Sequence, residues 1–360
     1  MGRSKITLFI FIVFLLFIFA ACSGDNEVVE EEVDEESDQV EEENNEPEVE
    51  PEPDPEPEFA GVYPLTGDET DNVVDHRAFG IMIENSSSAR PQSGLYQADV
   101  VYEVLSEGRI TRLLAFYHSQ QPERIGPVRS ARDYYIFLNN GYDAMYASAG
   151  GSPGAFDLVD RGQVPYINAL TYDGQFFSRS SERSAPHNMY TTYEDLQEAA
   201  EHIAFDLEGR KPPELPFTEE ADASLSERES LAVHVDYGSS INNVTFEYDE
   251  DLDGYIRSVG GERVDDMETG NPVAPRNLFI VGATHRVVDD QGRRDIDIES
   301  GGNAYLIQDG YVIEAEWQNV DGVILPFKEG EPLHFLPGQT WINFVESIDS
   351  DVSFQEEEED

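Results

Sequence analysis

The chain has 360 residues and a formal net charge of −53, because 75 aspartates and glutamates outnumber 22 lysines and arginines. Such an acidic surface repels phosphates, so the composition excludes nucleic acid as a partner. We attribute the charge to adaptation to a saline or alkaline medium, although composition alone does not separate that cause from function. The single cysteine excludes an intrachain disulfide and a cysteine-based metal site.

The first 21 residues have the pattern of an export signal. A short basic stretch precedes an unbroken apolar run from Ile6 to Ala21, which is shorter than the ~20 residues of a stable membrane-spanning helix. The run ends in small residues before Cys22, with Phe19 where leucine is usual, and this resembles the lipobox of bacterial lipoproteins. We expect residues 1–21 to be a signal peptide and Cys22 to carry lipid such as palmitate. An uncleaved anchor helix with an incidental cysteine is the alternative.

The segment after Cys22 has the composition of a spacer. Residues 23–58 contain 19 acidic side chains and no basic one, and they end in a Pro-Glu alternation. Such a segment cannot bury enough apolar surface to offset its chain entropy. We therefore predict a disordered acidic spacer over residues 22–59 that holds the folded part away from the membrane. An acidic tail that binds a partner is the alternative.

Residues 60–205 predict a mixed α/β domain. Buried apolar runs bounded by turn residues indicate strands, and apolar residues at helical spacing beside capping residues indicate helices. Strands that alternate with helices are typical of this fold class. The predicted strands are Gly80–Asn85, Asp99–Leu105, Ile110–Tyr117 and Asp143–Ala149, and the predicted helices are Ser130–Gly141 and Tyr193–Phe205.

The pattern changes in the second half of the chain. Residues 206–230 are rich in proline and predict a linker, whereas residues 231–347 show the period-two alternation of a mostly antiparallel β domain that closes as a sandwich or small barrel. Residues 348–360 predict an acidic tail. The fold class is therefore α+β. The predicted strands of this half are 231–235, 244–248, 255–259, 278–281, 295–298, 304–307, 311–317 and 341–345.

Arginine is concentrated in one part of the chain. Between Arg90 and Arg183 nine arginines accompany ten carboxylates, although the whole chain is strongly acidic. These arginines either neutralise buried carboxylates such as Asp99, Glu103 and Asp133, or form an anion-binding site. The ligand-binding candidates are Arg90, Arg109, Arg112, Arg129, Arg132, Arg183, His187 and Asn188.

Three motifs suggest chemistry that the residues do not support. Gly150–Gly154 matches G-x-S-x-G, but Pro153 lacks the N–H that an oxyanion hole needs after the serine. The run Asp249–Gly254 begins like a calcium loop, but its twelfth position is Gly260, so we predict a hairpin turn. The histidines show no zinc-ligand spacing. We therefore expect no metal site.

The motifs around the arginines are similar to those of the YerB lipoprotein family, which carries the DUF3048 domain. This resemblance implies a bacterial lipoprotein with two domains and no settled activity. The second half of the chain also resembles that family's second domain, through Tyr248, Gly254-Tyr255, Arg257, Trp317 and Pro337–Trp341. In the first half the motifs are Asn85, Ala89–Leu95, Ala98–Glu103, Ile110–Arg112, Ile125–Arg132, Ala149–Pro153 and Ala185–Asn188.

We therefore predict a lipid-anchored protein outside the cytoplasmic membrane that binds an anionic cell-wall component, or a partner protein, through an arginine-rich pocket. The order of strand, Arg-Asp turn and Gly-Gly loop also resembles the LytR-CpsA-Psr phosphotransferases, and this gives the alternative of an envelope enzyme that acts on diphosphate-linked glycopolymers. That resemblance implies that Arg109, Arg112, Arg129 and Arg132 hold a diphosphate.

Under this alternative Asp133 would hold a divalent cation, and Asp99, Glu103 or Glu107 would replace an aspartate that the chain lacks after Arg112. No constellation of acid, base and nucleophile is visible in the sequence. We therefore favour binding over catalysis and expect no cofactor.

Overall fold

The computed structural model describes residues 60–355. The predicted signal peptide, the lipid site at Cys22 and the whole predicted spacer lie outside these residues. The N-terminal half contains strands β1 (Gly61–Val62), β2 (Glu69–Thr70), β3 (Phe79–Glu84), β4 (Val100–Glu107), β5 (Ile110–Tyr117), β6 (Met145–Ser148), β7 (Tyr166–Asn168), β8 (Ser178–Arg179) and β9 (Met189–Tyr190). Its helices are α1 (Asp133–Gly141), α2 (Pro153–Asp160) and α3 (Tyr193–His202), with short 3₁₀ turns at Ser87–Ala89 and Leu95–Gln97.

The regular elements of the C-terminal half are strands, apart from one 3₁₀ turn at Ala223–Leu225 and one helical turn, α4 (Ile348–Asp351). Its strands are β10 (Arg228–Glu229), β11 (Ala232–Val235), β12 (Val244–Asp249), β13 (Gly254–Val259), β14 (Glu262–Arg263), β15 (Asn277–Gly282), β16 (His285–Val287), β17 (Arg294–Ile296), β18 (Gly302–Gln308), β19 (Tyr311–Val320), β20 (Val323–Lys328), β21 (Glu331–Pro332), β22 (Thr340–Val345) and β23 (Val352–Phe354).

One large sheet crosses both halves of the chain. Its order is β21-β20-β19-β18-β15-β22-β4-β5-β3-β6-β7, and β10 pairs with β19. Strand β22 lies between β15 and β4 and is parallel to both of them. The two halves therefore meet through backbone hydrogen bonds at the centre of the sheet.

Both faces of this sheet are covered, which explains why its central strands are buried at nearly every position. On β3, Ile81 and Ile83 belong to a core that includes α3 and the second sheet, β14-β13-β12-β11-β23. Met82 faces the opposite core, which includes α1 and α2. The strand is buried from end to end, so alternation could not have predicted which residue faces which core.

Side-chain caps fix where two of the helices begin. Ser152 accepts a hydrogen bond from the backbone N–H of Ala155 and caps α2, and Pro153 follows it at the first helical position. Thr192 caps α3 in the same way through Asp195. Gly150–Gly154 leads from β6 into α2, and Ser152 acts as a helix cap.

The structure corrects the predicted organisation of the second half. This half does not close on itself as a separate sandwich or barrel, because β15, β18–β20 and β22 join the sheet of the first half. The predicted linker packs against the body through buried Leu215 and through β10. The predicted acidic tail begins with α4 and β23, and β23 pairs with β11. The hairpin predicted at Asp249–Gly254 is confirmed.

Candidate anion-binding site

The candidate site lies at the carboxyl edge of three parallel strands. Strands β3, β6 and β7 run in the same direction, and in open sheets the crevice beyond such carboxyl ends is where ligands bind. The segment before α1 crosses this edge. The N–H of Arg129 donates to the carbonyl of Met82 at 2.8 Å, and its carbonyl accepts from Ala149 at 3.0 Å. The backbone of Arg129 is therefore fixed between the ends of β3 and β6.

A buried carboxylate contacts a guanidinium group and an imidazole ring at this edge. Glu84, the last residue of β3, is 5% exposed at its side chain, and its Oε2 lies 2.8 Å from Nδ1 of His187 and 3.6 Å from Nε of Arg129. Its Oε1 accepts a hydrogen bond of 2.8 Å from Ser86 Oγ. His187 and Arg129 are 27% and 25% exposed. We call Glu84, Arg129 and His187 the edge triad.

Two further arginines lie beside the edge triad but are bonded to protein groups. Arg112 donates to Glu107 Oε2 at 2.7 Å and to the carbonyl of Ser130 at 2.8 Å. Arg132 donates to the other oxygen of Glu107, and to the carbonyl of Ala131 at 2.6 Å. Burial lowers the pKa of both guanidinium groups. These two side chains hold the loop and the start of α1 in place.

The edge triad and these pairs form one cluster. Arg112 lies opposite Glu84 in the register of β3 and β5. Burial, and to a smaller extent the charge of Arg112, lowers the pKa of Arg129. The cluster of Arg112, Arg129, Arg132, Glu84 and Glu107 carries one net positive charge, from three arginines and two carboxylates. In a chain with a net charge of −53, this region favours an anion more than its surroundings do.

The other predicted ligand-binding residues have different surroundings. Arg183 donates to the carbonyls of Ala89 and Pro91 at 2.8 and 2.6 Å and holds that loop. Asn188 bonds to the carbonyl of Ser180 at 3.2 Å within its own loop. Arg109 is 54% exposed and lies 3.7 Å from Glu346. None of the three contacts the edge triad through a hydrogen bond or ion pair in residues 60–355.

Arg90 is also separate from the edge triad. Its Nη2 donates to the carbonyl of Ile241 at 2.8 Å, so its side chain reaches the C-terminal half. It lines a different cleft, between the Ser87–Pro91 loop and the β13–β14 hairpin.

The carboxylates that pair with arginines differ from those expected. Asp99, Glu103 and Asp133 were the predicted partners, but Glu84 and Glu107 pair with the arginines of the cluster. Glu103 is fully buried against Arg257 and is not accessible for the catalytic role that the alternative gave it. Glu84 is the residue that sequence reasoning missed. The signal that could have found it is a carboxylate at the end of an otherwise apolar strand.

Two negative findings apply to the described residues. In residues 60–355 no group of three or more His, Cys, Asp and Glu side chains could hold a metal ion. In the same residues no helix is long and apolar enough to cross a membrane.

Comparisons with known proteins identify the family. Residues 65–206 match the model described as "Protein of unknown function (DUF3048) N-terminal domain", and residues 233–342 match the corresponding C-terminal domain. The "Putative lipoprotein YerB" of Bacillus subtilis (strain 168) is 46% identical over 292 residues, which cover 80% of this chain and 87% of that protein. The crystal structure of YerB protein from Bacillus subtilis has 44% sequence identity and a TM-score of 0.76, and the match covers 82% of this chain and 99% of that chain. These matches confirm the predicted resemblance, and the chain belongs to the YerB family of proteins with DUF3048 domains.

Proposed function

We propose that this chain is a lipid-anchored protein of the cell envelope that binds an anionic envelope component at the edge triad. The similarity to a protein named as a lipoprotein supports the anchoring, and so does the lipobox-like sequence before Cys22. The anchor would place the body outside the cytoplasmic membrane. A negatively charged cell-wall polymer is the ligand class that the positive cluster fits.

The observation that carries the binding proposal is the state of Arg129. In residues 60–355 its guanidinium group forms no hydrogen bond, and the nearest carboxylate oxygen, from Glu84, lies 3.6 Å from Nε. Arg112 and Arg132 are each bonded to Glu107 and to a backbone carbonyl. Arg129 therefore retains N–H donors for a bidentate contact with a phosphate or carboxylate, and His187 contacts the same oxygen of Glu84.

The bonding of Arg112 and Arg132 favours binding over the phosphotransferase alternative. An enzyme that cleaves a diphosphate linkage needs several cationic groups free to follow the charge as it develops. Here Glu107 occupies two of the four arginines that the alternative requires, and Arg109 lies outside the edge triad. A binding role needs only the donors that Arg129 retains.

The proposal is tested by sedimentation with purified cell walls. The chain from residue 22 onward, made soluble by Cys22→Ser, is mixed with walls that retain their anionic polymers and with walls stripped of them. We expect binding to the first preparation only, and a loss of about tenfold in affinity for Arg129→Gln, because a charge-assisted contact is worth about 1.5–3 kcal/mol.

Arg161→Gln is the matched control, since Arg161 is exposed directly after α2 and, within residues 60–355, forms an ion pair only with Asp157. Equal sedimentation of Arg129→Gln and the parent chain would contradict the proposal, as would equal binding to stripped walls.

A further inference from the structure

A second site lies where the two halves of the chain meet. A cleft of about 420 Å³ is bounded on one side by the Ser87–Pro91 loop and on the other by Val259–Met267. The two sides are joined next to it, because the N–H of Met267 donates to the carbonyl of Gln92 at 2.9 Å. The volume is in the range that holds small molecules, about 300–1,000 Å³. No member of the edge triad lines this cleft.

Two arginines line the cleft, and within residues 60–355 Arg90 is the one that forms no ion pair, whereas Arg263 pairs with Asp265. Arg90 uses Nη2 for both of its hydrogen bonds, at 2.8 Å to the carbonyl of Ile241 and 3.3 Å to Asn242 Oδ1. Its Nε has no acceptor in the described part of the chain. Burial and then the charge of Arg257 lower its pKa, whereas Glu103 and Glu262 raise it. Arg90 is therefore a half-buried cation with unused donors beside the cleft.

Glu262 supplies the opposite charge. It lines the same cleft and forms no ion pair within residues 60–355. The other two carboxylates of the cleft are already engaged. Asp265 pairs with Arg263 at 2.7 Å, and Asp266 accepts from the N–H groups of Gly94 and Thr269 at 2.6 and 3.0 Å.

An aliphatic wall completes the cleft. Val259 and Val264 are buried, and Ile241 is exposed at the rim. A simple anion would meet Arg90 and Arg263 but also three carboxylates, and a simple cation would meet Glu262 but also Arg90. A molecule that carries both charges on a short aliphatic body satisfies each group.

We propose that this cleft binds a small zwitterion of the amino-acid or short-peptide class. The carboxylate pairs with Arg90, the ammonium group pairs with Glu262, and an aliphatic side chain packs on Val259, Val264 and Ile241. The site is independent of the edge triad, so either proposal can fail alone.

The test is calorimetric titration of the soluble chain with the dipeptide L-leucyl-L-leucine, its N-acetyl form and its C-terminal amide. We expect saturable binding of the free dipeptide and binding about tenfold or more weaker for each blocked form, because each has lost one charged contact. No saturable binding of the free dipeptide at millimolar concentration would overturn the proposal. Equal binding of either blocked form would overturn it too.

Two variants test which residue contacts each charge of the dipeptide. Arg90→Gln should bind the free dipeptide as weakly as the parent chain binds the amide, and Glu262→Gln should bind it as weakly as the parent binds the N-acetyl form. The controls are Arg286→Gln and Glu198→Gln, which lie on the exposed surface away from the cleft and should bind normally. If either cleft variant binds like its control, the assignment is wrong. The blocked dipeptides test the proposal on the unaltered chain even if a variant does not fold.

Discussion

Glu103 and Arg257 form a fully buried ion pair between the two halves of the chain. Glu103 is on β4 and Arg257 on β13, and Nη2 of Arg257 lies 3.1 and 2.9 Å from the two carboxylate oxygens. Asn85, Thr111 and Trp341 also donate to this carboxylate, at 2.9, 2.9 and 3.1 Å. Arg257 lies over the ring of Trp341 as well. The carboxylate is therefore satisfied by residues that are far apart in sequence.

Removal of Arg257 should lower the free energy of unfolding, because it leaves the buried charge of Glu103 without a counter-charge. In Arg257→Met, Glu103 keeps its neutral donors but loses its counter-charge, and breaking a buried pair in this way costs about 3–5 kcal/mol. We expect the free energy of unfolding in urea, followed by tryptophan fluorescence, to fall by that amount. Arg286→Met, which removes an exposed pair with Asp295, should change it by less than about 1 kcal/mol. A similar small change in Arg257→Met would contradict this account of the interior.

A second prediction for a single residue concerns Asp99 and the pH dependence of stability. Its carboxyl is buried and accepts from the N–H groups of His118 and Ser119 at 2.6 and 3.0 Å, and burial raises its pKa to about 7. The folded chain therefore holds this proton above the pH at which the unfolded chain releases it. The stability that protonated Asp99 contributes is present in full below about pH 4 and is lost as the pH rises to about 7.

The Asp99→Asn variant should remove that part of the pH dependence. The free energy of unfolding of the parent chain should fall between pH 4 and pH 7 more steeply than that of the variant, by on the order of 4 kcal/mol over the range. Urea denaturation at several pH values measures both slopes. The other acidic groups of the chain affect both proteins equally. If the free energy of unfolding changes with pH equally in both proteins, Asp99 does not cause the pH dependence.

At the scale of elements, the close contact between α1 and the β19–β20 turn fixes the helix against the sheet. A Cβ atom on Gly141, at the end of α1, would lie only 2.8 Å from the Cα of Gly322 in that turn. The atoms of Gly322 that this Cβ would meet belong to the backbone, so they cannot rotate away as a side chain could. This contact requires glycine for space, and it joins an element of the first half to a hairpin of the second.

Gly141→Ala should therefore destabilise the fold. Overpacking costs about 1–3 kcal/mol, and we expect a loss of that size in the free energy of unfolding, measured by urea denaturation. Asn140→Ala, one residue earlier on the exposed side, loses only a hydrogen bond to Gln163 and should cost no more than about 1 kcal/mol. Equal stability of the Gly141 variant and the parent chain would show that the helix is not held by this contact.

The sequence predicted local elements better than their assembly. The strand over Ile110–Tyr117 and the start of α3 at Tyr193 agree with the structure, because turn and capping residues mark their ends. The insertion of β22 between β15 and β4 was not predictable, since no local pattern specifies a parallel partner more than two hundred residues away.

The candidate site likewise depends on contacts between segments that local sequence patterns do not specify. The concentration of arginine was visible in the composition, and Arg129 and His187 were among the predicted residues. Their relation to Glu84 depends on the loop that crosses the ends of β3 and β6, and the pairing of Arg112 with Glu107 depends on the β4–β5 hairpin. Which arginine keeps free donors is a property of the assembled sheet.

For the whole molecule, the proposed anchor determines where binding takes place. Cys22→Ala should prevent lipid attachment, so the chain should be released from the membrane fraction of expressing cells into the medium or remain as an unprocessed precursor. Mass spectrometry of the parent chain should show a lipid-modified N-terminal cysteine. A free thiol at Cys22 in the membrane-bound parent chain would contradict the anchor.

Calorimetric titration with inorganic pyrophosphate tests the central claim, anion binding at the edge triad, most directly. The parent chain in its soluble Cys22→Ser form, Arg129→Gln and the control Arg161→Gln are compared at one ionic strength. We predict saturable binding to the parent chain and to the control, and binding about tenfold or more weaker to Arg129→Gln. Absence of binding to the parent chain, or equal binding to Arg129→Gln, would contradict the account.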